Sequence, residues 1–433
     1  MERYHSPRIA ETAELDGLSL PGEVQLALDE LAGSVREGLL ALSVGVGLKV
    51  MDELLEEELV ALVGPKGKHN PERAATRHGS RRGQVVLGGR KVQVRRPRAR
   101  SLDGRELPLR SYVHFASDDL LSERTVETML AGLSTRRHRS ALEPTGTEDR
   151  SVSKSAVSRR FVARTRRALS ELLARPVPED LLCLMLDGVV LAGSTCLCAL
   201  GIRADGTKIP LGLWEGASEN AAVCRRALAD LGERGLSAER GLLVVIDGSK
   251  ALHKAVGEAL GSKAAVQRCR RHKEQNVLGH LPQSERPWVK RKLREAWALE
   301  RAELAERRLA ELARALEPKR PGAAASLREG LAETLTVTRL GVPADSTLGR
   351  TLQTTNPIES MLSICRERAR NVKRWRGGEM ALRWTAAGML DAERSFRRVK
   401  GFRGLPQLAA ALRRHARDVD IDEKEVTDFP TAA

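Results

Sequence analysis

Three acids in this sequence have the type and setting to work together. Leu181-Leu-Cys-Leu-Met-Leu-Asp187-Gly188 is an apolar run ending in a carboxylate, the pattern of a buried strand with Asp187 at its carboxyl end. Gly241-Leu-Leu-Val-Val-Ile-Asp247-Gly248 repeats that grammar. Glu359, in Thr354-Thr-Asn-Pro-Ile-Glu359-Ser, lies where a helix begins, with Asn356 as N-cap and Pro357 at the first helical position. Two aspartates and a glutamate on a rigid frame are hard oxygen donors, which suit Mg²⁺. Two such ions about 4 Å apart activate an attacking oxygen and stabilise a leaving one at phosphorus. In that arrangement Asp187 bridges both ions, Asp247 and Glu359 hold one each, and Mn²⁺ is the alternative metal. Singly, an Asp-Gly pair is more often a turn, and a glutamate near a helix start is more often a capping residue. Their combination in a basic chain is what points to phosphoryl chemistry.

Cys269-Arg-Arg-His272 supplies two further groups near the last predicted strand. Its spacing is that of half a zinc site, but no second half is visible in the sequence. The expected role is local, with Cys269 buried at the strand end and His272 orienting a backbone group or touching the scissile phosphate.

The elements that must position these groups read as α/β. Strands are expected at 181–187, 195–203, 208–214, 242–246 and 264–269, with helices at 218–234 and 250–260. A meander of three strands followed by helical crossovers gives a mixed five-stranded sheet with parallel inner strands, whose active site gathers at their carboxyl ends. A long charged helix over 285–316 and another over 323–335 then form an all-helical insertion before Glu359. Upstream, apolar spacing in Val24-Leu26-Leu28-Leu31 and from Leu54 to Val63 is helical, and two β-rich runs around Gly88-Gly89 form a hairpin. The hairpin's second arm carries Arg95, Arg96 and Arg98 with no acid between Arg90 and Arg100, and is expected along phosphates as a basic edge strand. Between 118 and 173 three helical pieces suggest a helix-turn-helix. Its last helix, capped by Ser153 or Ser155, has an apolar stripe of Val157, Phe161, Thr165, Ala168 and Leu172, with Arg159, Arg160 and Arg164 on other faces. Arg368, Lys373 and Arg374 follow Glu359 in another basic stretch. Trp384 is expected in the core; Trp375 reads equally as core or as a base-stacking residue.

Composition agrees with a polyanionic partner. Over 433 residues, 73 Lys and Arg face 57 Asp and Glu, giving a net charge of +16, and nucleic acid is the commonest partner of such a chain. Aromatics are only 3%, so the cores must be built from Leu, Val and Ala. Six cysteines without disulfide spacing fit a reducing cytosol, and neither a signal peptide nor a membrane-length apolar run is present. The expected place is the cytoplasm, on the nucleoid.

The motifs around Asp187, Asp247, Gln267-Arg-Cys269-Arg-Arg-His272-Lys-Glu-Gln-Asn276 and Thr354 to Ser360, with Val92 to Arg100 and Gly132-Leu-Ser-Thr-Arg136 upstream, resemble those of Mutator-type bacterial insertion-sequence transposases. The likeness covers residues 75 to 400 and implies a ribonuclease-H-like DDE core with Asp187, Asp247 and Glu359 as the triad, and Cys269 and His272 as accessory residues. It implies binding of double-stranded DNA at terminal inverted repeats, metal-dependent cleavage and strand transfer into target DNA, by a homodimer or larger oligomer. Arg370-Asn-Val-Lys-Arg-Trp-Arg-Gly-Gly departs from the family's usual run of arginines and phenylalanine. The implied organisation is an N-terminal helical region with a basic hairpin (1–115) and a helix-turn-helix domain (116–177), then the core (178–281 and 346–400) split by the helical insertion (282–345), and a C-terminal helix and tail (401–433). A structure-specific ribonuclease-H-like nuclease would share the core, and a DNA-binding regulator descended from a transposase would have lost an acid, which this chain has not.

Overall fold

The computed structural model describes residues 45–68, 75–87, 90–137, 153–191, 193–216 and 221–427. The helix around Val24 to Leu31, the Gly88-Gly89 turn, positions 138–142 of the short basic helix and the acidic tail beyond 427 lie outside the described residues. The chain divides into two compact units, 1–125 with 135–157, and 126–134 with 158–433.

In the first unit a helix, α1 (45–63), places Met51, Leu55, Leu59 and Val63 on one stripe, four residues apart. That stripe is buried against Ala75, Val85, Val94 and Ala99 of two antiparallel strands, β1 (Ala75–Leu87) and β2 (Arg90–Ser101). The first half of β1, Thr76 to Gly83, is polar and has no alternation, so only the Gln84 half was legible. Pairing with β2 carries the rest, after a register shift between Arg77 and Ser80 where Gly79 adopts φ +70°. A short β3 (Glu106–Leu107) flanks the end of β2. The basic arm is therefore not an acid-free edge. Glu106 takes Arg98 at 2.7 Å and also pairs with Arg96, whose guanidinium lies over Tyr112. Arg98 beside it pulls the Glu106 carboxyl down to about 2. Arg95 stays exposed and donates to Ser80.

Helix α2 (Arg110–Ala116) has no side-chain cap of its own. Glu58 of α1 supplies one from a distance, accepting from the backbone N–H of Arg110 at 2.6 Å and of Ser111 at 2.9 Å, and from the Ser111 hydroxyl. Burial alone would raise the Glu58 pKa, but these donors outweigh it and hold the carboxyl below its ordinary value.

In the second unit the five-stranded sheet has the order β6-β5-β4-β7-β8, built from β4 (Leu181–Leu191), β5 (Ser194–Arg203), β6 (Lys208–Gly216), β7 (Leu242–Ile246) and β8 (Ala264–Arg268). β4, β5 and β6 form an antiparallel meander, while β4, β7 and β8 run parallel. Continuous apolar runs make this sheet because both faces are covered. One face packs on α5 (Ala221–Glu233) and α6 (Lys250–Leu260) through Leu184, Leu186, Val244 and Ile246. The other meets α4 (Lys154–Leu173), α13 (Asn356–Ala369) and α14 (Gly378–Arg394) through Met185, Val189 and Val245.

The helices α3 (Asp118–Leu130) and α4 are separated by residues 131–153; Arg136 and Arg137, the start of the expected short basic helix, lie in a turn, and 138–152 lie outside the described residues. From Phe161 on, the apolar stripe of α4 is spent within the second unit: Phe161 packs on Trp384, and Thr165 receives a hydrogen bond from Arg383 at 3.0 Å. The predicted 285–316 helix is also two helices, α8 (Arg286–Trp297) and α9 (Ala302–Leu316), broken so that Trp297 and Ala302 both turn into one core. After them come α10 (Pro321–Arg328), a 3₁₀ turn (Ala332–Leu335), α11 (Thr336–Arg339) and α12 (Thr347–Leu352).

The insertion is tied to the sheet by α7 (Arg270–Gly279), which follows β8. Arg270 is buried and donates to Thr334 O at 2.8 Å, Trp297 O at 3.1 Å, Gln353 Oε1 at 2.7 Å and Thr338 Oγ1 at 2.9 Å. Burial lowers its pKa to about 9, so it is still cationic at neutral pH.

Two predictions follow from this packing. Arg270→Met should destabilise the second unit by about 3 kcal/mol, read from the urea midpoint, because several buried acceptors lose their donor at once. Glu58→Gln should cost the first unit about 1 kcal/mol near neutral pH. Since the folded pKa of Glu58 is depressed, its stabilisation is present above the unfolded value and fades as pH falls through the folded one. A midpoint-against-pH curve from pH 7 to 3 should therefore be flatter in the variant.

Candidate active site

Asp187 and Asp247 meet because β4 and β7 pair in parallel, with Cys183 opposite Leu243 and Met185 opposite Val245. Two residues further on, the aspartates stand abreast on the same sheet face as Met185 and Val245. β4 does not end at Asp187, as its Asp-Gly suggested, but runs on to Leu191 against β5; it is β7 that stops, at Ile246. Asp187 thus lies where β4 emerges beyond its shorter neighbour. Its Oδ1 accepts from Gly188 N–H at 2.8 Å. Asp247 Oδ1 accepts from Ser249 N–H at 2.9 Å, and Ser249 in turn caps α6. Gly248 holds φ +131° under the Arg268 guanidinium, where a Cβ would lie 2.6 Å from Nε, so this tight turn requires glycine.

The third acid arrives on α13, whose Ile358, Met361, Leu362 and Cys365 cover that sheet face. The N-cap is Thr355, one residue before the expected Asn356, which places Glu359 at the fourth helical position. Thr355 is fully buried, and its hydroxyl donates to Glu359 Oε1 at 2.7 Å. Arg271 is exposed beside the same carboxylate, with its guanidinium 3.5 Å from Oε2 and 3.3 Å from Asn356 Oδ1. Neither Thr355 nor Arg271 was singled out from sequence, although both lie inside the quoted motifs. The contact of Thr355 with Glu359 follows from i, i+4 spacing across a helix start and was there to be found.

Asp187, Asp247 and Glu359 are all half-buried and within electrostatic reach of one another. Burial raises the Asp187 carboxyl to about 6; the Gly188 N–H opposes this, while Asp247 and Glu359 add to it. The oxygen donors and their mutual repulsion fit a divalent cation, which would relieve both. Among the described residues, however, the side chains whose ligand atoms converge most closely are Cys269, His272 and Glu359, all within 4.8 Å of one another. Cys269 is fully buried at the start of α7 and accepts from the Thr355 N–H at 3.4 Å. Burial would raise the Cys269 pKa, but hydrogen bonds from His272 and Thr355 outweigh it and bring it below its ordinary value. His272 is pushed up to about 9, first by that bond to Cys269 and then by Glu359 and Asp187.

The basic residues chosen after Glu359 separate into two kinds. Arg368 is half-buried and committed to Asp391 at 2.8 Å. Lys373 and Arg374 are exposed, as are Arg366, Arg370 and Arg376, and none of these five is in an ion pair among the described residues. Their loop is pinned by Asn371, which donates to Gly132 O at 3.0 Å, and by Trp375, which meets Trp384 edge-on. Trp384 is core, and Trp375 is half-buried against it. On α4, Arg159 is exposed, Arg160 is half-buried, and Arg164 lies 3.7 Å from Glu171. All six cysteines are buried and free, and no described helix is long and apolar enough to cross a membrane.

Comparison with known proteins places the chain in a family. The profile "Transposase, Mutator family" matches residues 29–398. The transposase of insertion sequence ISRM5 from Rhizobium meliloti strain 1021 is 30% identical over 352 residues, 78% of this chain and 84% of that protein. The IST2 transposase of Acidithiobacillus ferrooxidans is 33% identical over 177 residues, 41% of this chain and 58% of its own length. The IS6120 transposase of Mycolicibacterium smegmatis is 32% identical, covering 41% of this chain and 53% of its own length. The chain thus spans little more than half the length of the latter two relatives. With most of its own length matched by the profile and by the ISRM5 protein, this chain belongs to the Mutator family of transposases.

Proposed function

We propose that this chain is a ribonuclease-H-like DDE transposase that cuts the ends of its own insertion sequence and joins them to target DNA. The observation that carries the reading is the parallel pairing of β4 with β7, which sets Asp187 and Asp247 abreast on the face where α13 brings Glu359. Strand order β6-β5-β4-β7-β8 with a helical insertion before the last acid supports the fold assignment.

In this reading Asp187, Asp247 and Glu359 hold divalent ions of the Mg²⁺ class, and bound ions activate the attacking oxygen and neutralise the leaving one. The residues of the chain do the rest. Asp187 would ligate them as the carboxylate. Thr355 fixes the Glu359 rotamer. Arg271 and the imidazolium of His272 are cations at the mouth of the site, suited to orienting the scissile phosphate. Water attack breaks the phosphorus–O3′ bond at each end and leaves a 3′-hydroxyl and a 5′-phosphate. The freed 3′-hydroxyl then attacks a target phosphate and expels its O3′. Joining two ends requires at least a dimer. Arg366, Arg370, Lys373, Arg374 and Arg376, which follow Glu359 in the chain, are an exposed basic strip for the DNA backbone, with Arg95 and Arg159 as further contacts.

The test is cleavage of labelled DNA carrying the flanking ends of the element, with Mg²⁺ or with EDTA. Asp187→Asn, Asp247→Asn and Glu359→Gln should each abolish metal-dependent cuts while end binding survives. Mg²⁺-dependent nicking retained by Asp187→Asn would overturn the triad, and cuts indifferent to the element's ends would favour a structure-specific nuclease. Thr355→Val should lower cleavage by roughly tenfold to a hundredfold and raise the Mg²⁺ concentration needed, as loss of a ligand-orienting partner does. Thr355→Ser should restore both. Lys373→Gln and Arg374→Gln should weaken binding to all sequences alike, and each should reduce the slope of log affinity against log salt by about one.

A further inference from the structure

The Cys269, His272 and Glu359 cluster is built from unlike donors, and that dissimilarity is chemically informative. Cys269 stands at the N-cap of α7 and His272 three residues on, so both project to one side of its first turn. Glu359 faces them from α13, with its Oε1 3.9 Å from His272 Nε2. Sulfur, imidazole nitrogen and carboxylate oxygen with one side open suit zinc and its relatives, whereas magnesium takes oxygen alone. The sequence showed only half such a site. The structure brings the third donor from a residue far along the chain. His272 and Glu359 are about a third exposed, 31% and 27% by side chain, and Cys269 forms the buried floor, so an ion can enter from solvent. Metal–ligand bonds of 2.0–2.3 Å place tetrahedral ligand atoms roughly 3.5 Å apart. The observed spacing, up to 4.8 Å, has to shorten toward that value when an ion binds. Thr355 serves as an outer partner to all three, through its N–H to Cys269 Sγ at 3.4 Å, its hydroxyl to Glu359 Oε1, and the same hydroxyl oxygen 3.4 Å from His272 Nδ1.

We propose that Cys269, His272 and Glu359 form a second, sulfur-containing metal site for Zn²⁺-class ions, and that its occupation withdraws Glu359 from Asp187 and Asp247 and so stops cleavage. The inhibitory half rests on the reading of Glu359 as a member of the carboxylate triad; the binding half does not.

The test uses the full-length protein with Co²⁺ as the spectroscopic probe. Wild type should show a thiolate-to-metal charge-transfer band and tetrahedral visible bands that saturate at one equivalent. Cys269→Ser should lose the charge-transfer band, and His272→Gln should weaken both sets of bands, while Asp247→Asn should leave them unchanged. His272 is part-exposed, so that variant remains informative if Cys269→Ser fails to fold. A wild-type spectrum lacking the thiolate band, or one that persists in Cys269→Ser, would overturn the site. Zn²⁺ added over excess Mg²⁺ should abolish cleavage by wild type, and a chelator selective for zinc should restore it. Zn²⁺ binding with undiminished cleavage would overturn the inhibitory role. If Glu359→Gln still cuts DNA, it is the triad reading that fails, and the Co²⁺ spectrum decides the metal site independently.

Discussion

The residues from Gln267 to Lys273 form a polar clamp on which the site depends. Gln267, Arg268, Arg270 and Lys273 are all buried, and each reaches into the helical insertion for a backbone carbonyl. Gln267 Nε2 and Arg270 Nε share Thr334 O, at 3.1 and 2.8 Å. Arg268 donates to Glu329 O at 2.8 Å, and Lys273 to the carbonyls of Ser326 and Glu329. The last two cations therefore sit at the carboxyl end of α10, where unpaired carbonyls and the helix dipole favour positive charge. Desolvation draws Lys273 down to about 8, and the carbonyls offset part of that cost. A buried network of this kind is costly when half satisfied and rigid when complete.

Rigidity at this point matters because the insertion separates Glu359 from the strands it must serve. The Arg270 N–H donates to Gln353 O at 3.0 Å, and the Cys269 N–H to Ile246 O at 2.8 Å. One short segment thus holds the end of β7, carrying Asp247, and the approach to α13, carrying Glu359. With that junction fixed, three mutually repelling carboxylates are held within electrostatic reach of one another. Burial, with Asp247 and Glu359 adding to it, raises the proton affinity of Asp187, while His272 opposes this; Arg271 and His272 stand beside Glu359.

The sequence was most informative where one physical cause acts alone. β7 and residues 181–186 of β4 are apolar throughout because helices cover both faces, and such runs survive any detail of packing. The hairpin of β5 and β6 announced itself through Ala204-Asp-Gly-Thr207. What stayed hidden came from long-range contact. Charged residues read as solvated faces, so buried Arg270 and Lys273 gave no signal. The acid that occupies Arg96 and Arg98 lies on a separate strand, and the partner of Arg368 lies on the next helix. The stripe on α4 was legible as amphipathic, but not which surface would cover it. At the site, the two aspartates were legible as ends of a pattern, whereas Thr355 in place of Asn356 as the cap shifts Glu359 by one position and creates its bond to the threonine hydroxyl.

The proposed sharing of one divalent-metal site by Asp187, Asp247 and Glu359 can be mapped by cleavage of the protein itself. Fe²⁺ substituted for Mg²⁺, with ascorbate and peroxide, generates hydroxyl radicals at the ion and cuts the polypeptide backbone nearby. Mapping the fragments of the wild-type protein should give cuts clustered around 187, 247 and 359 together, all competed away by Mg²⁺. Cuts near only one of the three, or cuts that Mg²⁺ leaves unchanged, would contradict the account.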